Sequence, residues 1–268
     1  MKKKLVIAAA AAGVAGAYLA AIAPRIKDRP EIAPFYGKVF AHRGMHGGKV
    51  MENTIEAFEK AVENGYGIEL DVQLSADGQA VVFHDYTLFR LFGETKSVCD
   101  LTAEELAQYG IPTLEEALKV IDGKVPLIVE LKGESGDVSV APITAEVLDE
   151  YSGDYCVESF NPLILKWYKD CRPDVARGQL STAFMETEKK GPQYFAVEHL
   201  LTNFLSKPDF IAYEHKYPAK LSLVICRKVF NVPVIAWTVR TADEWSKCAD
   251  RFDSYICEGL PKKRKINN

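Results

Sequence analysis

From Lys38 to Cys257 short apolar runs alternate with stretches whose apolar residues recur at helical spacing, and this alternation constrains the fold more than any other feature of the chain. Residues 38–44, 68–72, 79–85, 126–132, 156–160, 176–180, 210–213, 234–239 and 254–257 read as strands. Between most of them lie helices. One has Asn53 as its cap, Glu56 at the capping-box position, Ile55, Phe58, Ala61 and Val62 on one face and Asn64-Gly65 as its stop. Strands that alternate with helices imply a parallel sheet. About eight strands over roughly 230 residues fit a closed (β/α)8 TIM barrel better than an open doubly wound sheet, and no Gly-x-Gly-x-x-Gly fingerprint is present.

The barrel is expected over residues 38–261, preceded by a hydrophobic segment over 1–27 and a Pro-containing linker over 28–37, and followed by a basic tail over 262–268. Residues 5–23 carry no charge, and as a helix would cover about 28 Å, just enough to cross a bilayer core. The expectation is an N-terminal helix that anchors the chain in a membrane with the catalytic domain on the cytoplasmic side. A signal peptide cleaved after Ala21-Ile22-Ala23, releasing an extracytoplasmic protein, is the alternative. Six scattered cysteines without a Cys-x-x-Cys pair read as free buried thiols and favour a reducing compartment. The net charge of −4 includes the basic ends Lys2-Lys3-Lys4 and Lys262-Lys263-Arg264-Lys265, so the body between them is more acidic still. Such a body argues against nucleic-acid binding.

In a parallel barrel the functional side chains gather at the carboxyl ends of the strands. His42, Arg43, Glu69, Asp71, His84, Glu130, Lys132 and Trp237 all fall there. Glu69 and Asp71 share one strand face, and with Glu130 they offer three oxygen donors suited to one hard divalent cation, Mg2+ or Ca2+. His42 and His84 suit general acid and base roles, since imidazole titrates near neutrality. Arg43 and Lys132 are cations able to clamp a phosphate, and Trp237 completes the candidate substrate contacts. Together these groups describe phosphoryl-group chemistry.

The spacing also resembles a known family. His42-Arg43-Gly44, Glu52-Asn53-Thr54, Glu69-Leu70-Asp71-Val72, Asp77-Gly78, His84-Asp85, Pro112-Thr113-Leu114-Glu115, Glu130-Leu131-Lys132, Ser159-Phe160 and Trp237-Thr238-Val239 are similar to the glycerophosphodiester phosphodiesterases over roughly residues 38–260. The resemblance implies a TIM barrel that hydrolyses glycerophosphodiesters to glycerol 3-phosphate and an alcohol. It implies a divalent metal on Glu69, Asp71 and Glu130, acid and base roles for His42 and His84, and phosphate contacts from Arg43 and Lys132. It further implies attack by the glycerol 2-hydroxyl and a cyclic phosphate that water opens. Where the family commonly ends its last strand in Thr-Asp before a Pro, Cys257-Glu258-Gly259-Leu260-Pro261 stands here, so that segment reads as structural. A lysophospholipase D acting on a lipid headgroup is the alternative enzyme, and a membrane-bound headgroup-binding protein without turnover is the alternative from outside enzymology.

Overall fold

The structure, a computed structural model, describes residues 2–133, 136–187 and 189–262. One sheet contains β1 (Val39–His42), β2 (Gly67–Leu74), β3 (Ala80–Val82), β4 (Leu127–Leu131), β5 (Tyr155–Ser159), β6 (Arg177–Ser181), β7 (Phe210–Glu214), β8 (Val234–Val239) and β9 (Ser254–Cys257). An N-terminal α1 (Lys2–Ile22) precedes it, and α2 (Ile55–Glu63) links β1 to β2. Neighbouring staves pair in parallel, and β1 pairs with both β9 and β2, which closes the ring. Eight parallel strands with helices between them make the expected TIM barrel.

The run at 79–85 is not a stave. Its strand, β3, lies antiparallel to the end of β2, with Val72 opposite Val82 and Leu74 opposite Ala80, and the chain reverses through Gly78 at φ +76°. A parallel return needs a crossover of about a dozen residues or more, which the short link from β2 to β3 cannot provide. His84 therefore reaches the mouth from a hairpin that extends β2.

Alternation along the staves divides two cores. Ile68, Leu70, Val72 and Val129 point outward and pack with Phe58, Ala61 and Leu114 of the surrounding helices. Phe40, Ile128, Cys156, Phe210, Ile235 and Ile256 fill the barrel interior. The fit is tight enough that a Cβ on Gly67 would meet the Phe40 ring at 2.5 Å. Four cysteines are buried as expected, whereas Cys99 and Cys171 are exposed.

The stretch at 28–37 does not hang free. Arg25 N–H donates to Pro208 O, the Arg29 guanidinium to the Phe230 and Asn231 carbonyls, and Gly37 N–H to Asp253 O. All these acceptors precede strands, so the segment crosses the amino-terminal pole of the barrel, where Phe35 is buried in the interior core. The end of α1 docks beside it: Ile22 is fully buried, and its carbonyl accepts from Asn203 Nδ2 at 2.9 Å. Residues 10–17 of α1 are exposed. Among the described residues no helix is long and apolar enough to cross a membrane, so the transmembrane anchor expected from the sequence gains no support. Of the basic tail only Lys262 falls within the described residues.

Candidate active site at the barrel mouth

Register brings the acidic residues together. His42 on β1 lies opposite Glu69 on β2, and Asp71 opposite Glu130 on β4. The inward parity of these positions points all four side chains into the mouth, and oxygens of Glu69, Asp71 and Glu130 lie within 4.8 Å of one another. All three carboxylates are buried. Lys132 Nζ sits 2.7 Å from Asp71 Oδ1 and 2.5 Å from Glu130 Oε1, and Arg43 Nε is 3.2 Å from Asp71 Oδ2.

Two cations do not balance this cluster. Burial would raise Asp71, but Lys132, His84 and Arg43 overcome it and hold that carboxyl far below its usual range. Burial pushes Glu130 up to about 7 despite Lys132, and burial followed by the charges of Asp71 and Glu130 pushes Glu69 well up. Three convergent oxygen donors, two of them short of counter-charge, fit a hard divalent cation. The buried Glu158 on β5 stands opposite Glu130 in register, its Oε2 without a hydrogen-bond partner, and burial and Glu130 raise it well above the normal carboxyl range.

Each imidazole is backed by a carboxylate that is itself held by an arginine. His42 Nδ1 lies 2.7 Å from Glu258 Oε1, and Arg240 donates to both Glu258 oxygens at 2.8 Å. Burial would raise Glu258, but His42 and Arg240 bring it down to about 2, so it is an ionised acceptor. The proton then resides on His42 Nδ1, and Nε2, 3.9 Å from Glu69 Oε2, is left toward the acidic cluster. His84 repeats the pattern. Its Nδ1 lies 2.6 Å from Asp85 Oδ1, and Arg90 Nε donates to Asp85 Oδ2 at 2.5 Å. Arg90 also binds Glu52, and Glu52 accepts from Arg43 Nη1 at 2.6 Å, which links the backing of His84 to the candidate phosphate contact. Burial lowers both imidazoles, His84 to about 4, so both are neutral at pH 7 in the free chain.

The structure thus gathers His42, Arg43, Glu69, Asp71, His84, Glu130 and Lys132 at one mouth. Trp237 stands on the same rim in the carboxyl half of β8, in edge contact with Phe160 at 5.6 Å, with its indole Nε1 buried and unpartnered. Two expectations change. Thr54, not Asn53, caps α2 by accepting from Ala57 N–H, which frees Asn53 Nδ2 to donate to Asp71 Oδ2 at 2.8 Å. Glu258 is not merely structural, since it holds His42. His46, in the loop after β1, is half-buried beside His42 and Glu258. Glu52, Asp85, Arg90 and Arg240 act through neighbours, and only the place of Glu52 and Asp85 in the motifs, and of Arg90 and Arg240 shortly after one, could have marked them.

An acidic triad, two carboxylate-backed imidazoles and two buried cations at the carboxyl pole of a TIM barrel are the groups that phosphoryl-group hydrolysis calls for. The sequence pattern of the glycerophosphoryl diester phosphodiesterase family matches residues 42–252, and the chain belongs to that family. The protein YhdW of Bacillus subtilis, which carries a glycerophosphodiester phosphodiesterase name, is 34% identical over 191 residues, covering 62% of this chain and 78% of that one. Human glycerophosphodiester phosphodiesterase 1 is 27% identical over 267 residues, covering 82% and 77%. An Oleispira antarctica phosphodiesterase, solved with its product sn-glycerol-3-phosphate, superposes with a TM-score of 0.67 at 26% identity, covering 83% and 93%.

Proposed function

We propose that the chain hydrolyses glycerophosphodiesters to sn-glycerol 3-phosphate and an alcohol, with His42 and His84 as the acid and base pair. The observation that carries this reading is the pair of carboxylate-backed imidazoles flanking one acidic cluster. Glu69, Asp71 and Glu130 would hold one divalent cation, Mg2+ or Ca2+, which when bound supplies Lewis-acid polarisation of the phosphoryl oxygens. Arg43 and Lys132 bind the phosphate, and the unpartnered Trp237 N–H is a donor available to substrate. The substrate's negative charge favours the imidazolium form, which loads one ring with a proton for the leaving oxygen while the other accepts the proton of the glycerol 2-hydroxyl. A nucleophile tethered within the substrate carries a large effective molarity, and a cyclic phosphate would result. The imidazoles then exchange roles as water opens the ring.

The place of α1, at the pole away from the mouth, supports deacylated, water-soluble diesters over lysophospholipids as substrates. An acyl chain arriving from a bilayer beside α1 would have to pass the length of the barrel. Attachment of the chain to a membrane through its N-terminal segment, with the barrel on the cytoplasmic side, is a proposal supported by the apolar, exposed residues of α1 and tested by fractionating cells for the full chain.

Purified chain supplied with glycerophosphocholine and Mg2+ or Ca2+ should release sn-glycerol 3-phosphate, and chelator should abolish release until the cation is returned. His42→Ala and His84→Ala should each lower kcat by about 10²–10⁴. Full turnover in chelator would remove the metal, and full turnover in either variant would remove the acid and base pair.

A further inference from the structure

His42 has a neighbour that hydrolysis does not use. His46, in the loop after β1, has a buried Nε2 with no hydrogen-bond partner. One nitrogen from each of His42 and His46 and one carboxylate oxygen of Glu258 lie within 4.8 Å of one another. We propose that His42, His46 and Glu258 form a zinc site distinct from the carboxylate triad, and that zinc bound there switches hydrolysis off by occupying His42.

The donor sets of the two clusters differ in kind. Glu69, Asp71 and Glu130 offer oxygen alone, which suits Mg2+ or Ca2+. Two imidazoles and one carboxylate are instead a borderline-soft set of three, matching zinc sites that keep a fourth position for water. A tetrahedral zinc with bonds of about 2.0–2.1 Å needs donors roughly 3.4 Å apart. Donors already within 4.8 Å reach that spacing by side-chain rotation of about an ångström, without moving the strands. His42 ends β1 and Glu258 directly follows β9, its paired stave, and His46 sits on a loop tied back by His46 N–H donating to Gly44 O at 3.0 Å. Arg240 on Glu258 opposes the metal's charge, which makes the site a reversible one rather than a structural one.

The consequence for catalysis follows from the ring itself. His42 Nδ1 faces Glu258, so zinc shared by the two takes the Nδ1 lone pair and the one ring proton passes to Nε2. No lone pair then remains to accept a proton, and the imidazole drops out of acid and base chemistry. No oxidant or co-reactant is required. The loss of activity rests on the proposed hydrolytic role of His42, whereas the binding of zinc does not.

The full chain, kept in excess Mg2+ to saturate the triad, is titrated with zinc chloride by calorimetry and, in parallel, assayed on glycerophosphocholine. One zinc per chain should bind, and hydrolysis should fall with the same midpoint. His46→Ala should weaken zinc binding at least tenfold, shift the inhibition midpoint by the same factor and leave turnover in Mg2+ without zinc unchanged. His46→Gln, which keeps a polar side chain of similar size, should lose binding equally if the ring nitrogen is the ligand. Circular dichroism reports that both variants fold. Zinc bound as tightly by both variants as by the parent chain, or zinc displaced in step with added Mg2+, would overturn the site. Tight zinc binding that depends on His46 in a chain that hydrolyses no diester would keep the site and discard the hydrolytic reading instead.

Discussion

At the scale of single residues the mouth is defined by carboxylates that disagree about their protons. Asp71 is held ionised by Lys132, His84 and Arg43, while burial raises Glu130 to about 7 and Glu69 well above the usual range. In the metal-free chain Glu130 therefore favours folding most below its unfolded value near 4.5, and that contribution is lost as pH rises through about 7, where its charge joins the cluster. A bound cation reverses the balance by stabilising the ionised form. Metal must displace the proton, so affinity for Ca2+ should weaken by up to about tenfold for each pH unit below 7. Calorimetry between pH 5.5 and 7.5 in buffers of different ionisation enthalpy measures both the affinity and the protons released. An affinity independent of pH, with no proton release, would show that Glu130 is not a ligand.

At the scale of elements, the loop from β1 to α2 sets the geometry around Asp71. Arg43 and Asn53 both take left-handed backbone conformations, at φ 56° and 55°, and Asn53 N–H donates to Arg43 O at 3.0 Å. Between them Gly44, at φ +77°, passes so near α2 that a Cβ would stand 2.8 Å from Ala57 backbone. Gly44→Ala should cost about 1–3 kcal/mol in stability from strain and overpacking, and it should lower kcat by displacing Arg43 and Asn53. Thermal melting together with steady-state assay checks it, and a variant unchanged in both would mean the loop yields freely. This loop also shows what a sequence can disclose. Glu69 and Asp71 were legible because period-two alternation puts them on one face, and the helix of Ile55, Phe58 and Ala61 because its apolar spacing is helical. Asn53 read as the cap because Asn and Thr are both good caps, and only the left-handed turn at 53 shifts the cap to Thr54. The β3 hairpin was legible in principle from its short link, yet its apolar run imitates a stave. The hold of Glu258 on His42 was not legible, because 216 residues separate the two and only closure of the ring makes β9 the neighbour of β1.

At the scale of the whole molecule the two poles of the barrel are divided between chemistry and closure. The carboxyl pole carries the acids, imidazoles and cations, while the chain entering from α1 seals the amino pole with Phe35, whose carbonyl accepts from Ser254 Oγ at 2.8 Å. Phe35 packs in the same interior core as Phe40, Ile128, Phe210 and Ile235, so it closes the space beneath the residues that support the mouth. Truncating it leaves a cavity that the closed ring cannot collapse to fill, because each stave is hydrogen-bonded on both sides. Phe35→Ala should therefore lower stability by about 3–5 kcal/mol, read as a shift of the urea midpoint without a change of slope. Its effect on turnover should be small well below the melting temperature, since the site lies at the other end of the strands. An exposed residue of α1, Val14→Ala, is the control and should leave the midpoint in place. Equal midpoints for Phe35→Ala and the parent chain would mean that the stretch at 28–37 is a linker after all, and that the barrel closes its amino pole without it.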